Sequence, residues 1–415
     1  MPNYQSSFTG AEIDEAVGGF LQFNALIPDN FSGNDSEKLQ ACLDALVSTG
    51  GTIVINREYT LTDDIIHKIN SNDDKKITFV GIGKTAKITM GTHSIVGDWT
   101  SSKPTGNIGF INIEFNGSNI CFDCNTLIRI TVTHCYFSGF DKVFYNTAIN
   151  SARMQTLYIS QSTFRRCGTV LYNYGGLYDV KFTQNIIEWC TSLYDTDNTD
   201  YIWNLVIRDC LMEGMTGTCI RLVRSRNTII DGNYFESNVG YIVVGDNNSR
   251  GVVISNNFIA NDDSTKIFVT LSNLTSGIDQ LDGIIENNHI KYASFPVVGF
   301  LAQPTGKIGW RVAYNNTAAI TYGSYFNILF NDMNDRLLYM VGDKTEVKTD
   351  FNNYTTQGVY LFGGAASVAN KPSSEYGLLE VFKSLYIIQR FTASNGNTYV
   401  RFSSNGTTWG SWITK

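Results

Sequence analysis

Three glutamates carry the clearest chemistry in this 415-residue chain. Glu188, Glu213 and Glu236 each stand three residues after an Asn or Cys that recurs in a repeated phrase, and the same place holds Ser138, Arg165, Ala260 and Lys291 in other copies. If the copies stack as coils, the ~4.8 Å strand spacing puts these residues in a vertical row on one outer face. Carboxyls ~5–5.5 Å apart suit a retaining glycosidase, and ~6.5–9.5 Å suits an inverting one. Neighbours in the row approach the first geometry, and Glu188 with Glu236 the second. Crowding of like charges is one means by which a carboxyl keeps the proton that a general acid needs. Glutamate is also an ordinary solvated residue after an inward apolar one, and Arg165 equally serves to neutralise the row's end.

A second outward column, two residues before the turn residue, sets Arg208 beside Asp231, with Asp209 adjacent. The pair reads as a plain salt bridge or as a sugar contact. Further along the coils come Tyr194, Asp195 and Arg221, and a loop from Asp195 to Trp203 combines three carboxylates with two aromatics. Arginines near aromatics suit an acidic sugar, because guanidinium pairs bidentately with carboxylate. The candidate substrate-binding set is therefore Arg165, Tyr194, Asp195, Trp203, Arg208, Asp209, Arg221 and Asp231.

Other chemistries find little support. The acidic loop lacks the glycine and distal glutamate of an EF-hand, and His67, His93, His134 and His289 show no metal spacing. Cys121 and Cys124 form a CxxC without a second pair. No Gly-x-Ser-x-Gly elbow is present. No metal or other cofactor is expected. The net charge of −7 without a Lys/Arg run excludes nucleic acid and anionic membrane surfaces as expected partners. No stretch approaches the ~18 apolar residues of a membrane helix. Met1–Gly10 has neither a basic start nor an apolar run, so folding in a reducing host cytoplasm is expected, with the eight cysteines as free buried thiols.

The elements that must position these residues are written in the repeat itself. It reads apolar-x-apolar-x-x-(Asn/Cys/Ser)-x-apolar, from Ile130–Phe137 to Gly283–Ile290, with the sixth position at 135, 162, 185, 210, 233, 257 and 288. Steps of 27, 23, 25, 23, 24 and 31 residues mean stacked units that bury a face only against their neighbours. Alternation within each copy makes the units strands, so the fold class is all-β: a right-handed single-stranded parallel β-helix. The first, third, sixth and eighth positions point inward, and stacked Asn side chains there bond to one another and to backbone.

Five regions follow. Residues 1–20 hold an amphipathic attachment or trimerisation segment. Residues 21–110 start the solenoid, with a helix from about Glu37 to Val47, capped by Asp35-Ser36 and stopped by Gly50-Gly51, covering the open edge. Residues 111–317 are the β-helix body and 318–350 a transition. Residues 351–415 form a small β domain with turns at Asn395-Gly396 and Asn405-Gly406. Within it, Trp409 and Trp412 form either a glycan platform or the domain's core.

The opening Phe23-Asn-Ala-Leu26, Asn34-Asp-Ser36, Gly50-Gly-Thr-Ile-Val-Ile-Asn56 and Tyr59-Thr60 resembles the start of pectate-lyase-like β-helices, in particular those of tailed-bacteriophage tailspikes. Thr9-Gly-Ala-Glu-Ile-Asp-Glu-Ala-Val17 is similar to an N-terminal phrase of phage tail fibres. Asn353–Tyr360, Asn370-Lys-Pro372, Gly377–Val381, Ile388–Phe391, Tyr399-Val-Arg401 and Trp409-Gly-Ser-Trp412 resemble the pyocin-knob type C-terminal domain of tail fibres.

The resemblance implies a homotrimer in the virion tail that contacts bacterial surface polysaccharide, capsule or O-antigen, and often cleaves it. Its N-terminus would join the phage tail, baseplate or another fibre protein. No catalytic motif of the pectate lyases is recognisable. The expected activity is endo-glycosidic depolymerisation, with a receptor-binding fibre that only holds glycan as the alternative.

Overall fold

The computed structural model of the chain describes residues 25–98, 105–147, 154–196, 202–245, 249–260, 266–272, 283–291, 297–300, 308–315, 326–331, 349–355, 358–362, 368–383 and 386–415. The expected segment 1–20 and loop positions 197–201 lie outside them.

Alternating apolar residues curl the chain into coils whose strands stack into three parallel sheets. Among the described residues these hold 13, 10 and 10 strands, all hydrogen-bonded to the equivalent strand of the next coil. The first sheet carries the opening of each phrase, as in Leu205–Arg208 within the strand Ile202–Arg208. After a tight turn the second sheet carries its last residues, as in Leu211–Glu213, and the third sheet closes the coil, as in Thr218–Val223. Phe326–Asn331 adds a further parallel strand to the first sheet beyond the expected end of the body.

Inward positions fill one continuous apolar core. Phe115, Phe137 and Phe164 stack at 5.0 and 4.9 Å between ring centres. All eight cysteines are free and buried, as expected.

The recurring Asn forms a ladder. Asn185, Asn233, Asn257, Asn288 and Asn315 are buried. Each side-chain oxygen accepts the backbone N–H of the turn residue in the preceding coil, from Ser162 N to Asn185 at 2.9 Å through Asn288 N to Asn315 at 3.0 Å. Asn315 extends the ladder one step beyond the seven phrases.

The covering helix runs Asp35–Leu46, two residues earlier than expected, and its cap is Asn34. Asn34 accepts from Glu37 N at 2.9 Å, while Glu37 accepts from Asn34 N at 2.8 Å. This reciprocal box displaces the expected Asp35-Ser36 cap because both residues serve elsewhere. Asp35 pairs with Arg57 at 2.8 Å, and the Ser36 hydroxyl accepts from Thr62 N at 2.8 Å. Leu39, Cys42, Leu43 and Leu46 seal the first coil. Gly50, at φ +70°, ends the helix turn.

His67 is fully buried within the early coils, its Nε2 2.7 Å from Gly106 O. Burial pushes its pKa from the ordinary 6.5 to about 4, against the opposing hydrogen bond. Between those values the unfolded chain binds a proton that the folded chain refuses. Stability from this site is therefore complete above pH 6.5 and lost as pH falls toward 4, amounting to ~2 kcal/mol at pH 5. His67→Gln, which keeps a neutral donor, should remove that part of the acid sensitivity. Denaturation midpoints at pH 7 and pH 5 check this, and equal acid losses in the two proteins would refute it.

The C-terminal region forms a separate antiparallel sheet of five strands, Gly358–Phe362, Gly377–Lys383, Ile387–Ala393, Thr398–Ser403 and Ile413–Thr414. Its core gathers Phe351, Phe362, Leu379, Val381 and Phe391. Trp409 and Trp412, partly buried, pack against this core. They enclose buried Arg401 at 4.5 and 4.4 Å, and their N–H groups donate to the Asn352 and Asn370 carbonyls.

Candidate functional site

From Tyr136–Ser138 to Tyr234–Glu236 the second-sheet strands are three residues long, with the middle residue inward. Each therefore presents two outward columns. Register places Ser138, Arg165, Glu188, Glu213, Glu236 and Ala260 directly above one another. The expected carboxylate row exists, on the face that sequence periodicity assigned it.

The three carboxylates have different surroundings. Glu188 Oε2 lies 3.4 Å from Arg165 Nε. Glu236 accepts from the Tyr234 hydroxyl at 3.0 Å, a bond that raises the Tyr234 pKa. Glu213, between them, has no side-chain hydrogen bond or ion pair among the described residues.

The other column is apolar and aromatic, running Ile186, Leu211, Tyr234, Phe258 and His289. Tyr234 stacks on Phe258 at 5.5 Å, and Phe258 on His289 at 5.0 Å. Of the three glutamates only Glu236 borders this stack, through Tyr234; Glu188 and Glu213 stand beside Ile186 and Leu211.

Beyond Glu188 the face opens into a concavity of about 390 Å³ lined by Asn116, Tyr136, Ser138, Gly139, Arg165 and Arg166. Trp189 forms its shoulder, with Arg165 and Arg166 lying 4.4 and 5.5 Å from its ring centre. Gly214, at φ +62°, leaves room for the indole; a Cβ there would stand 2.4 Å from Trp189 Cδ1.

The remaining predicted residues lie elsewhere. Arg208 and Asp231 end first-sheet strands and form a 3.1 Å ion pair. Burial pushes the Asp231 pKa up, but hydrogen bonds from Asn256 and Ser255 and the Arg208 charge hold it below the ordinary value. Asp209 is exposed in the adjoining turn at φ +54°. Trp203, also on the first sheet, stacks on Tyr178 at 6.2 Å and carries Arg226 at 4.7 Å. Asp195 and Arg221 meet at 3.4 Å on the third sheet.

Tyr194 is a correction. It is fully buried in the column Phe144, Leu171, Tyr194, Ile220, with its hydroxyl 3.3 Å from Asn173 Nδ2. Adjacent strand residues cannot both face outward, and Asp195 takes the outer place. Tyr145 and Tyr172, stacked at 5.7 Å, are partly exposed tyrosines of that sheet.

Sequence reading missed Arg166 and Trp189. Both occupy the left-handed position after the glutamate column, where Gly139, Gly214 and Ser237 stand in other coils. That glycine-containing column was the available signal. It also missed a first-sheet cluster in which the Tyr158 hydroxyl donates to Asp179 and Lys181 Nζ lies 3.2 Å from Tyr158 and 3.4 Å from Asp179. Asp179, at φ +56°, breaks the strand alternation that would have revealed it.

This architecture is a parallel β-solenoid with a capped start and a small antiparallel domain. The tailspike protein of Acinetobacter baumannii phage AM24 has a similar fold, with a TM-score of 0.59 and 12% identity over 94% of this chain and 72% of that one. A pentasaccharide complex of a mutant tailspike from E. coli bacteriophage HK620 aligns with TM-score 0.46 and 12% identity, over 74% of this chain and 68% of that one. A mannuronic acid specific family 6 polysaccharide lyase from human gut microbiota gives TM-score 0.37 and 11% identity, over 75% and 91%. The fold comparison rests on the first. No protein-family model matches the sequence, and no curated protein matches it.

Proposed function

We propose that this chain is a phage tailspike that binds and depolymerises bacterial surface polysaccharide, using the second-sheet face as its site. The observation that supports this best is the in-register row Arg165, Glu188, Glu213, Glu236, which ends beside the Tyr234–Phe258 stack. The fold shared with the AM24 tailspike agrees with it.

In the hydrolytic reading, a sugar chain lies across the coils along the carboxylate row, beside the Tyr234–Phe258 stack. One carboxyl of the row protonates the glycosidic oxygen as the C–O bond breaks. A second takes the proton of the attacking water, or attacks the anomeric carbon itself before water releases the sugar. Glu213 is the best placed for proton transfer, since no neighbouring donor occupies it, and Glu188 or Glu236 supplies the second role.

The protein is proposed to act as a homotrimer in the virion tail, attached through its N-terminus. Phe382, Ile388 and Phe402 are cross-strand neighbours exposed by 46, 40 and 58% on the C-terminal sheet, and they offer apolar surface for burial against other copies. The alternative, a fibre that binds glycan without cutting it, draws on the Tyr234, Phe258 and His289 stack, which offers apolar contact to a sugar without any carboxylate.

Incubation with a panel of capsular and O-antigen polysaccharides, followed by mass spectrometry of released oligosaccharides, tests the proposal. Repeat-unit fragments carrying the mass of added water are expected. Unsaturated fragments would replace hydrolysis by elimination. Binding without fragments, on a panel containing the true host, would establish the non-cleaving fibre instead.

A further inference from the structure

The concavity beside the glutamate row holds a charge surplus that the row does not explain. Arg165 has one carboxylate in reach, Glu188 at 3.4 Å. Arg166 forms no ion pair among the described residues, and its guanidinium rests beside the same indole, 5.5 Å from the Trp189 ring centre. Two cations therefore face one anion, on a chain whose net charge is −7.

The other side chains of the lining are neutral and polar. Asn116 Nδ2 donates to Ser138 Oγ at 2.9 Å, which leaves the Ser138 hydroxyl hydrogen and the second Asn116 N–H as further donors, and Tyr136 lines the same concavity. Such groups match sugar hydroxyls. The planar guanidinium fork matches a carboxylate and is held ready by stacking on Trp189.

We infer that this groove is a subsite for a carboxylate-bearing sugar, its carboxylate held by Arg165 and Arg166 and its hydroxyls by Asn116, Ser138 and Tyr136. The inference rests on the proposed glycan function and adds the class of sugar. Because Arg165 stands one coil before Glu188, the acidic residue would sit next to the bond that is cut.

The full chain is titrated with glucuronate, galacturonate and N-acetylneuraminate, and with glucose, galactose and N-acetylglucosamine, using saturation-transfer NMR. Acidic sugars should bind at least about tenfold more tightly than neutral ones, a difference of ~1.4 kcal/mol. Arg166→Asn, whose side chain suits the left-handed backbone at φ +54°, should abolish the discrimination. Arg166→Lys, with the charge but not the fork, should fall between. Charge-blind binding, unchanged discrimination in Arg166→Asn, or no binding of any sugar would each overturn the subsite. Release of fragments from a neutral polysaccharide alongside charge-blind binding would overturn the subsite while leaving the depolymerase reading intact. Acid-selective binding without any fragments would support the subsite and remove the cleavage.

Discussion

Glu213→Gln should slow polysaccharide cleavage by roughly 10²–10⁴-fold while leaving polymer binding nearly unchanged, since an amide keeps the shape but cannot transfer the proton. Glu213 merits the first substitution because its neighbours are already engaged, Glu188 with Arg165 and Glu236 with Tyr234. It stands in register with both, so either lies close enough to share a substrate with it. Glu188→Gln and Glu236→Gln separate the second role. The readout is the rate of reducing-end formation on the polysaccharide identified by the panel, with affinity measured in parallel. Full turnover in all three single variants would sink the row as a catalytic site.

Asn257→Ala should destabilise the solenoid by about 3–4 kcal/mol, a larger effect than any surface substitution would have. Asn257 is buried, and its Oδ1 accepts both Asn233 N at 2.9 Å and Asn233 Nδ2 at 3.0 Å. Its own Nδ2 donates to Ile230 O at 3.1 Å and to Asn288 at 2.9 Å. Alanine would strand these partners away from water, each at about 1–3 kcal/mol. Asn257→Ser should cost less. Ser162 already occupies a ladder position and accepts from Cys135 N at 3.0 Å. Denaturant midpoints and their slopes measure the ordering, and an alanine variant as stable as the parent would show that the ladder contributes nothing.

The solenoid was legible because two periodicities coincide in it. Alternation marks Ile130, Val132 and Phe137 as inward, and the Asn at a fixed offset marks the turn, so register followed from sequence alone. The glutamate row inherited that register. Tyr194 was misplaced because the third-sheet strands lie farthest from the Asn, where no side-chain signal fixes which residue turns in.

Arg166 and Trp189 escaped for a different reason. Their backbone is left-handed, and their shared stack depends on the missing Cβ of Gly214 one coil away. Such contacts are three-dimensional before they are sequential. The helix cap was misread by one residue because Asp35 and Ser36 are good caps in isolation, and tertiary partners claimed them.

The spacing of the coils has a price in chain length. Each step uses 23 to 31 residues to advance ~4.8 Å, whereas 24 residues of α-helix would reach about 36 Å. A protein built this way is a poor lever and a good shelf, trading reach for broad, rigid display. Lengthening the display by one whole coil leaves every other rung in register, whereas inserting a single residue turns the next strand's face over. Variation in what such a shelf grips is therefore expected in quanta of a full turn, or in single outward side chains, with little room between the two.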